Sequence, residues 1–219
     1  MDPKDYPEVK DALPAAEAVV RFVKENMWDE LTKTLYRSWR EGKGAIAQTD
    51  DYACLIAGGQ SPRGRWGHEL ITALIDLYEA TGKEDYLMFA RDLQVRQDEL
   101  FWDDKDKGYF ASAADEHVLV RMKDGSVSAA FGDEVCTAYV QDGAEASASS
   151  TSVHNLLRLG MFFADENSLW EGKAHETITS LAREITRYPS SVAYTVAALM
   201  EIQSGSRSVR RTGTGSIAQ

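Results

Sequence analysis

Cysteine is scarce in this chain of 219 residues, with Cys54 and Cys136 the two present, and no CxxC pair occurs. That argues against a zinc site built on thiolates and against a dithiol redox centre. A single disulfide stays open, and two thiols in a reducing compartment are the simpler reading. Long apolar runs are missing too: nothing approaches the roughly 20 residues a membrane span needs. The N-terminal MDPKDYPEVK lacks the charged and then apolar layout of a signal peptide. Positive charge is in deficit: Lys and Arg number 24 against 35 Asp and Glu, a formal net charge of −11. Nucleic acid and an anionic membrane surface are poor partners for such a chain. The sequence taken alone places it in soluble, cytoplasmic surroundings and names no compartment beyond that.

Hydrophobic residues at 43% and charged residues at 27% suit one globular domain with tails. The periodicity is helical. Ala16, Val19, Val20, Val23 and Met27 form one stripe over 11–27. The stretch 28–43, with Gly42 and Gly44 as breakers, reads as a loop or short hairpin. A helix beginning near Asp50 has Thr49 or Asp50 as its cap. Its stripe of Tyr52, Leu55 and Ile56 breaks at GGQSPRGRWG (58–67) and resumes with Leu74, Ile75 and Tyr78 before Thr81-Gly82. Removing 59–73 restores one continuous stripe, which marks that segment as an insertion.

A helix over 83–100 carries Tyr86, Phe89, Ala90, Leu93, Gln97 and Leu100 inward, and FWDDKDKGYF (101–110) turns at Gly108. Residues 111–141 read as irregular, with short strands near 117–122. Further helices are expected over 147–163, 169–186 and 190–202. The second of these carries Ala174, Ile178, Leu181, Ala182 and Ile185 inward. The third, SVAYTVAALMEI, is apolar almost all round and is expected to be buried on most sides. Residues 1–10 read as a flexible N-terminus and 204–219, nearly devoid of apolar residues, as a disordered tail.

Five segments in order resemble one family. They are EGKGAI (41–46), the joined DDYACLIAG–LIDLYEATG, LFWDDKDKGYF (100–110), RMKD (121–124) and DGAEASASSTSVHNLLRL (142–159). Together they are similar to the C-terminal helical region of the spermatogenesis-associated protein 20 family. The resemblance implies an all-α fold: helical hairpins forming part of an (α/α)6 toroid, six-hairpin glycosidase-like, with short β-hairpin loops. The matching segments cover most of residues 10–202, and the partial toroid they imply spans 11–203, interrupted by insertions at 59–73 and 125–139. Ala146 and Ser149 depart from the Pro and Asn of the family pattern. Family members also carry a thioredoxin-like domain with a CxxC. No residue here matches it, so no redox role carries over.

The implied function is that of a piece of a carbohydrate-linked scaffold with little activity of its own. The enzyme alternative is an epimerase- or glycosidase-like protein in which paired carboxylates act as acid and base and sugars stack on aromatic rings. Its catalytic candidates are Asp51, Asp142 and Glu145, and its substrate-binding candidates are Tyr52, Trp102, Tyr109 and His154; Asp50, beside Asp51, and Trp39, as a further stacking ring, are candidates too. Each has a structural counterpart. Asp50, Asp51, Asp142 and Glu145 stand at helix starts, where acids cap and complement the dipole. Trp102 and Tyr109 sit in a turn, and His154 lies inside a helix. A third alternative is a helical interaction module. A carbohydrate ligand and a protein partner at the open edge of the array are the partners implied; no metal or cofactor site is visible. Three hairpins of six leave apolar edges exposed, so the isolated chain is expected to be poorly stable as a monomer.

Overall fold

The computed structural model describes residues 12–57, 74–110, 113, 142 and 146–204. The expected short strands near 117–122, both insertions, the N-terminal segment 1–10 and the tail beyond 204 lie outside the described residues. Within them the chain is mostly helical: α1 (Ala12–Phe22), α2 (Thr49–Ala57), α3 (Leu74–Thr81), α4 (Glu84–Phe101), α5 (Ala148–Phe162), α6 (Asn167–Ser180), α7 (Ala182–Arg187) and α8 (Ala193–Ser204). α1 runs on into a π-helical turn, Val23–Met27. A small antiparallel hairpin follows, with β1 (Trp28–Asp29) pairing Trp28 to Leu35 and Asp29 to Thr34 of β2 (Thr34–Leu35). The hairpin expected between 28 and 43 is therefore present. No described helix is long and apolar enough to cross a membrane.

Side-chain bonds fix the directions of the helices. Gln97 of α4 donates through Nε2 to the carbonyl and hydroxyl of Thr49 at the start of α2 and to the hydroxyl of Ser152 in α5. One turn further along both helices, Asn155 donates to the carbonyl of Ala53. Both chains advance together, so α2 and α5 are parallel. α3 continues the same line along α5: Arg158 reaches Asp76 and Glu79, and the Tyr78 ring meets Phe162 edge-on at 5.1 Å. α8 is also parallel to α5, since Ser150 bonds Thr195 at 2.7 Å and His154 lies against Glu201 one to two turns on.

A second layer runs the opposite way. Ion pairs Arg91–Glu166 and Asp98–Lys173 hold α4 and α6 parallel to one another. α4 opposes α5, since Gln97 meets Ser152 while Arg91, earlier in α4, stacks over Phe163 just past the end of α5. Helices therefore alternate along the sequence between a layer of α2/α3, α5 and α8 and a layer of α4 and α6. Opposed layers bury the apolar stripe of each helix against the other. Tyr52, Leu74, Ile75, Leu77, Leu93, Phe101, Leu156, Leu159 and Trp170 are all at most 1% exposed.

Local rules account for the helix ends. Gly82 adopts φ +70 and its N–H bonds the carbonyl of Tyr78, the left-handed stop that glycine permits. Gly108 adopts φ +103 in the 103–108 turn, where Asp103 N–H bonds the Gly108 carbonyl. At α5 the hydroxyl of Ser147 accepts from the N–H of Ser150.

Three expectations are corrected. The helix expected over 169–186 is divided at Leu181, whose N–H is shared among the carbonyls of Thr177, Ile178 and Thr179, into α6 and α7. Ala182 is exposed, whereas Ala174, Ile178 and Leu181 are buried as expected. At α2 neither Thr49 nor Asp50 holds the first turn; Asp51 reaches back to the N–H of Gln48 at 2.8 Å, and the Thr49 hydroxyl accepts from Gln97. Finally, α8 is not buried on most sides. Thr195 and Ala198 are its buried residues, and Met200 is 64% exposed.

Candidate functional site

The N-terminal ends of α2, α5 and α8 and the C-terminal end of α4 meet at one end of the array, because Gln97, Thr49 and Ser152 are joined there. Most of the candidate residues read from the sequence fall at this end, each with a defined partner. Asp51 accepts from Gln48 and lies 3.5 Å from the Nε of Arg37; burial raises its carboxyl above the usual range. Asp50 faces the same arginine at 3.4 Å. Tyr52 is fully buried, accepts from the N–H of Leu35 at 3.0 Å and meets Phe101 edge-on. It ties the hairpin to α2.

Asp142 has both carboxylate oxygens on backbone amides. Oδ1 accepts from Ser147 at the head of α5, and Oδ2 from Tyr194 at the head of α8, at 3.0 and 2.7 Å. Its own N–H bonds the carbonyl of Ser191. One carboxylate thus caps two parallel helices, a position the helix dipoles favour for negative charge. Glu145 lies outside the described residues.

Trp102 and Tyr109 are paired across an isolated bridge with their rings edge-on at 5.3 Å. The Trp102 indole donates to Asp104, and the Lys173 ammonium stands 4.8 Å over its ring. Tyr109 is buried; its hydroxyl donates to Asp98 at 2.7 Å and accepts from Gln94. Burial, first of all, holds that phenol protonated well past its ordinary range. Trp39 stands apart, in contact with Phe22 on the hairpin side of the molecule. His154 lies in the α5–α8 seam, with Nε2 2.9 Å from the carbonyl of Tyr194 and its ring stacked on that tyrosine at 4.0 Å.

Two groups of residues escaped the sequence reading. The first is a buried polar relay: Thr49 and Ser152 to Gln97, Gln97 to Gln94, Gln94 to Asp98 and Tyr109, and Asp98 to Lys173 at 2.7 Å. It stitches α2, α4, α5 and α6 through one chain of hydrogen bonds. Gln97 is among the inward residues read from the sequence; Gln94 beside it, and the partners of both, were not read. The second is a charged cluster on the side of α5 facing α3 and α8. There the Arg158 guanidinium is shared by Asp76 and Glu79 at 2.5 and 3.0 Å, beside His154, Tyr194 and Glu201. No spacing rule unites residues so far apart in sequence. Among the described residues, no group of three or more His, Cys, Asp or Glu is placed to hold a metal ion.

No protein-family model matches the chain. Three relatives align with most of it. Spermatogenesis-associated protein 20 of Mus musculus is 31% identical over 191 residues, 84% of this chain and 21% of the relative. The Homo sapiens protein of the same name is 32% identical over 186 residues, 82% and 20%. An uncharacterized protein of Caenorhabditis elegans is 32% identical over 197 residues, 87% and 22%. The chain thus spans about a fifth of the length of the relatives it matches. On these similarities the chain is a homologue of spermatogenesis-associated protein 20 over more than four-fifths of its own sequence.

Proposed function

We propose that this chain is a scaffold section of a six-hairpin (α/α) toroid, linked to carbohydrate chemistry through the fold and without catalysis of its own. The alternation of two antiparallel helical layers supports the toroid reading, since hairpins added in that order generate a wall of inner and outer helices. The domain reading goes with it: a partial toroid over 11–203, with 59–73 and 125–139 inserted. α2 and α3, which follow one another along α5, are the two halves that the first insertion separates.

The observation that carries the non-catalytic part is the engagement of both Asp142 oxygens by backbone amides. Both oxygens of that carboxylate accept from amides at the heads of α5 and α8, and this placement suits a cap that joins two helices. Tyr52 and Tyr109 are buried with their hydroxyls engaged, so neither offers a ring face to a sugar. A second reading, a sugar-processing enzyme using Asp51, Asp142 and Glu145, draws support from one feature: Asp51 is raised by burial in the direction a general acid needs.

Incubating the purified chain with a panel of nitrophenyl glycosides and with free N-acylated hexoses separates the two readings. The scaffold reading expects no aglycone release or epimerisation above buffer. Turnover that disappears in both Asp51→Asn and Asp142→Asn would overturn it in favour of the enzyme.

A further inference from the structure

Two buried polar atoms stand on facing helices without a bond to either. Gln94 of α4 is 0% exposed and Trp170 of α6 is 1% exposed. Among the described residues, neither Oε1 of Gln94 nor Nε1 of Trp170 has a hydrogen-bond partner. A buried polar atom in that position calls for one.

The ion pairs between the two helices set their register. Arg91 pairs with Glu166, and Asp98 with Lys173. Gln94 lies within one turn of both Arg91 and Asp98, and Trp170 within one turn of both Glu166 and Lys173. Residues so spaced share a helix face, so Gln94 and Trp170 occupy the facing stripes at the same level. The third side of this wedge is α5, where a Cβ added at Gly160 would stand 3.6 Å from the Cβ of Trp170.

The Gln94 amide is oriented by its neighbours. Its Nε2 is shared by Oε1 of Gln97, Oδ1 of Asp98 and the Tyr109 hydroxyl, at 3.0, 2.9 and 3.2 Å. A reversed amide would set its oxygen against the side-chain carbonyl of Gln97, which only accepts. Oε1 therefore points away from that group. The indole N–H of Trp170 only donates. The wedge offers one donor and one acceptor that do not bond each other. A cation would be repelled by the indole N–H, and an anion by the Gln94 oxygen. A neutral molecule that both accepts and donates matches both, and the smallest such molecule is water.

We propose that one buried water molecule is held between α4 and α6, accepting from the Nε1–H of Trp170 and donating to Oε1 of Gln94. It lengthens the polar relay. Thr49 and Ser152 are bonded to Gln97, and Gln97 to Gln94. The water carries the chain on to Trp170. α6 is then tied to the interior at two points, Lys173 on Asp98 and Trp170 through the water.

Nuclear magnetic resonance of the isotope-labelled full chain reads the site. The Trp170 indole proton is identified by the signal lost in Trp170→Phe. In the wild-type chain that proton should exchange slowly with solvent and still show a rotating-frame Overhauser cross-peak to water, opposite in sign to an exchange peak. In Gln94→Leu the cross-peak should be lost. A crystal structure of the wild-type chain, which needs no variant to fold, should show a water within about 2.7–3.2 Å of both atoms. A protected indole proton with no water cross-peak, a rapidly exchanging one, or a cross-peak unchanged in folded Gln94→Leu would overturn the proposal. So would a direct bond between the two side chains in the crystal.

Discussion

α5 and α8 are parallel neighbours in one layer of the array, and their environments differ sharply. In α5, residues Ala148 through Leu156, with Leu159 and Gly160, are buried. In α8, Thr195 and Ala198 are the buried residues, although its sequence is the more apolar of the two. Burial is decided by what stands around a helix, not by its own composition. α5 is flanked by α2 and α3, by α8 and by α6, with Gly160 letting Asn167 and Trp170 approach closely. Among the described residues, α8 has α5 on one side and an exposed face bearing Met200 on the other.

The sharpest way to break this comparison is a pair of truncations. Leu156→Ala in α5 should cost about 2–5 kcal/mol, as deletions of a fully buried leucine do. Met200→Ala in α8 should stay within about 0.5 kcal/mol. Urea unfolding of both variants checks this, and similar losses would erase the distinction.

Next in size is Asp142→Ala, which strips the acceptor from the heads of both helices and should cost about 2–3 kcal/mol. Its effect ought to appear in the exchange of α8 before that of α5, because α8 has fewer other contacts. Tyr109→Phe should follow at about 1–2 kcal/mol, measured by chemical unfolding, since it leaves Asp98 and Gln94 short of a partner within the relay that braces α5 from behind.

Smallest is Asp51→Asn. The Asp51 carboxyl is raised in the folded chain by burial, so folding favours its neutral form. Its stabilising contribution is present below the unfolded range near pH 4 and is lost as the pH rises through the folded value. At pH 7 the ionised group is a mild burden, and the asparagine, which still accepts from Gln48, should be neutral or more stable by less than about 1 kcal/mol. The gain should vanish in thermal melts at pH 3.

The elements legible in the sequence were those dictated by local rules. Gly82 and Gly108 turned the chain where positive φ was needed, α5 opened within a residue of the expected 147, and a short hairpin before α2 formed inside 28–43, turning between Asp29 and Thr34. The break at Leu181 was not legible, because Ile178, Leu181 and Ile185 keep helical spacing while the backbone between them shifts its bonding. Nor was the openness of α8, since an apolar segment reads the same whether or not a neighbour covers it. Asp51 and Asp142 were recognised as acids at helix starts; that Asp142 serves two helices depends on the approach of Tyr194, 52 residues away, which no local pattern encodes. The relay through Gln94 and Gln97 shows only once α2 and α5 are placed beside α4.

The central claim is that α5 is locked within the array while α8 is fastened from one side. Native-state hydrogen exchange under mild denaturant measures both at once. The account predicts that α5 amides exchange only through global unfolding, with the full unfolding free energy and a large denaturant slope. α8 amides should exchange through a local opening of lower free energy and small slope. Equal free energies and slopes for the two helices would contradict it.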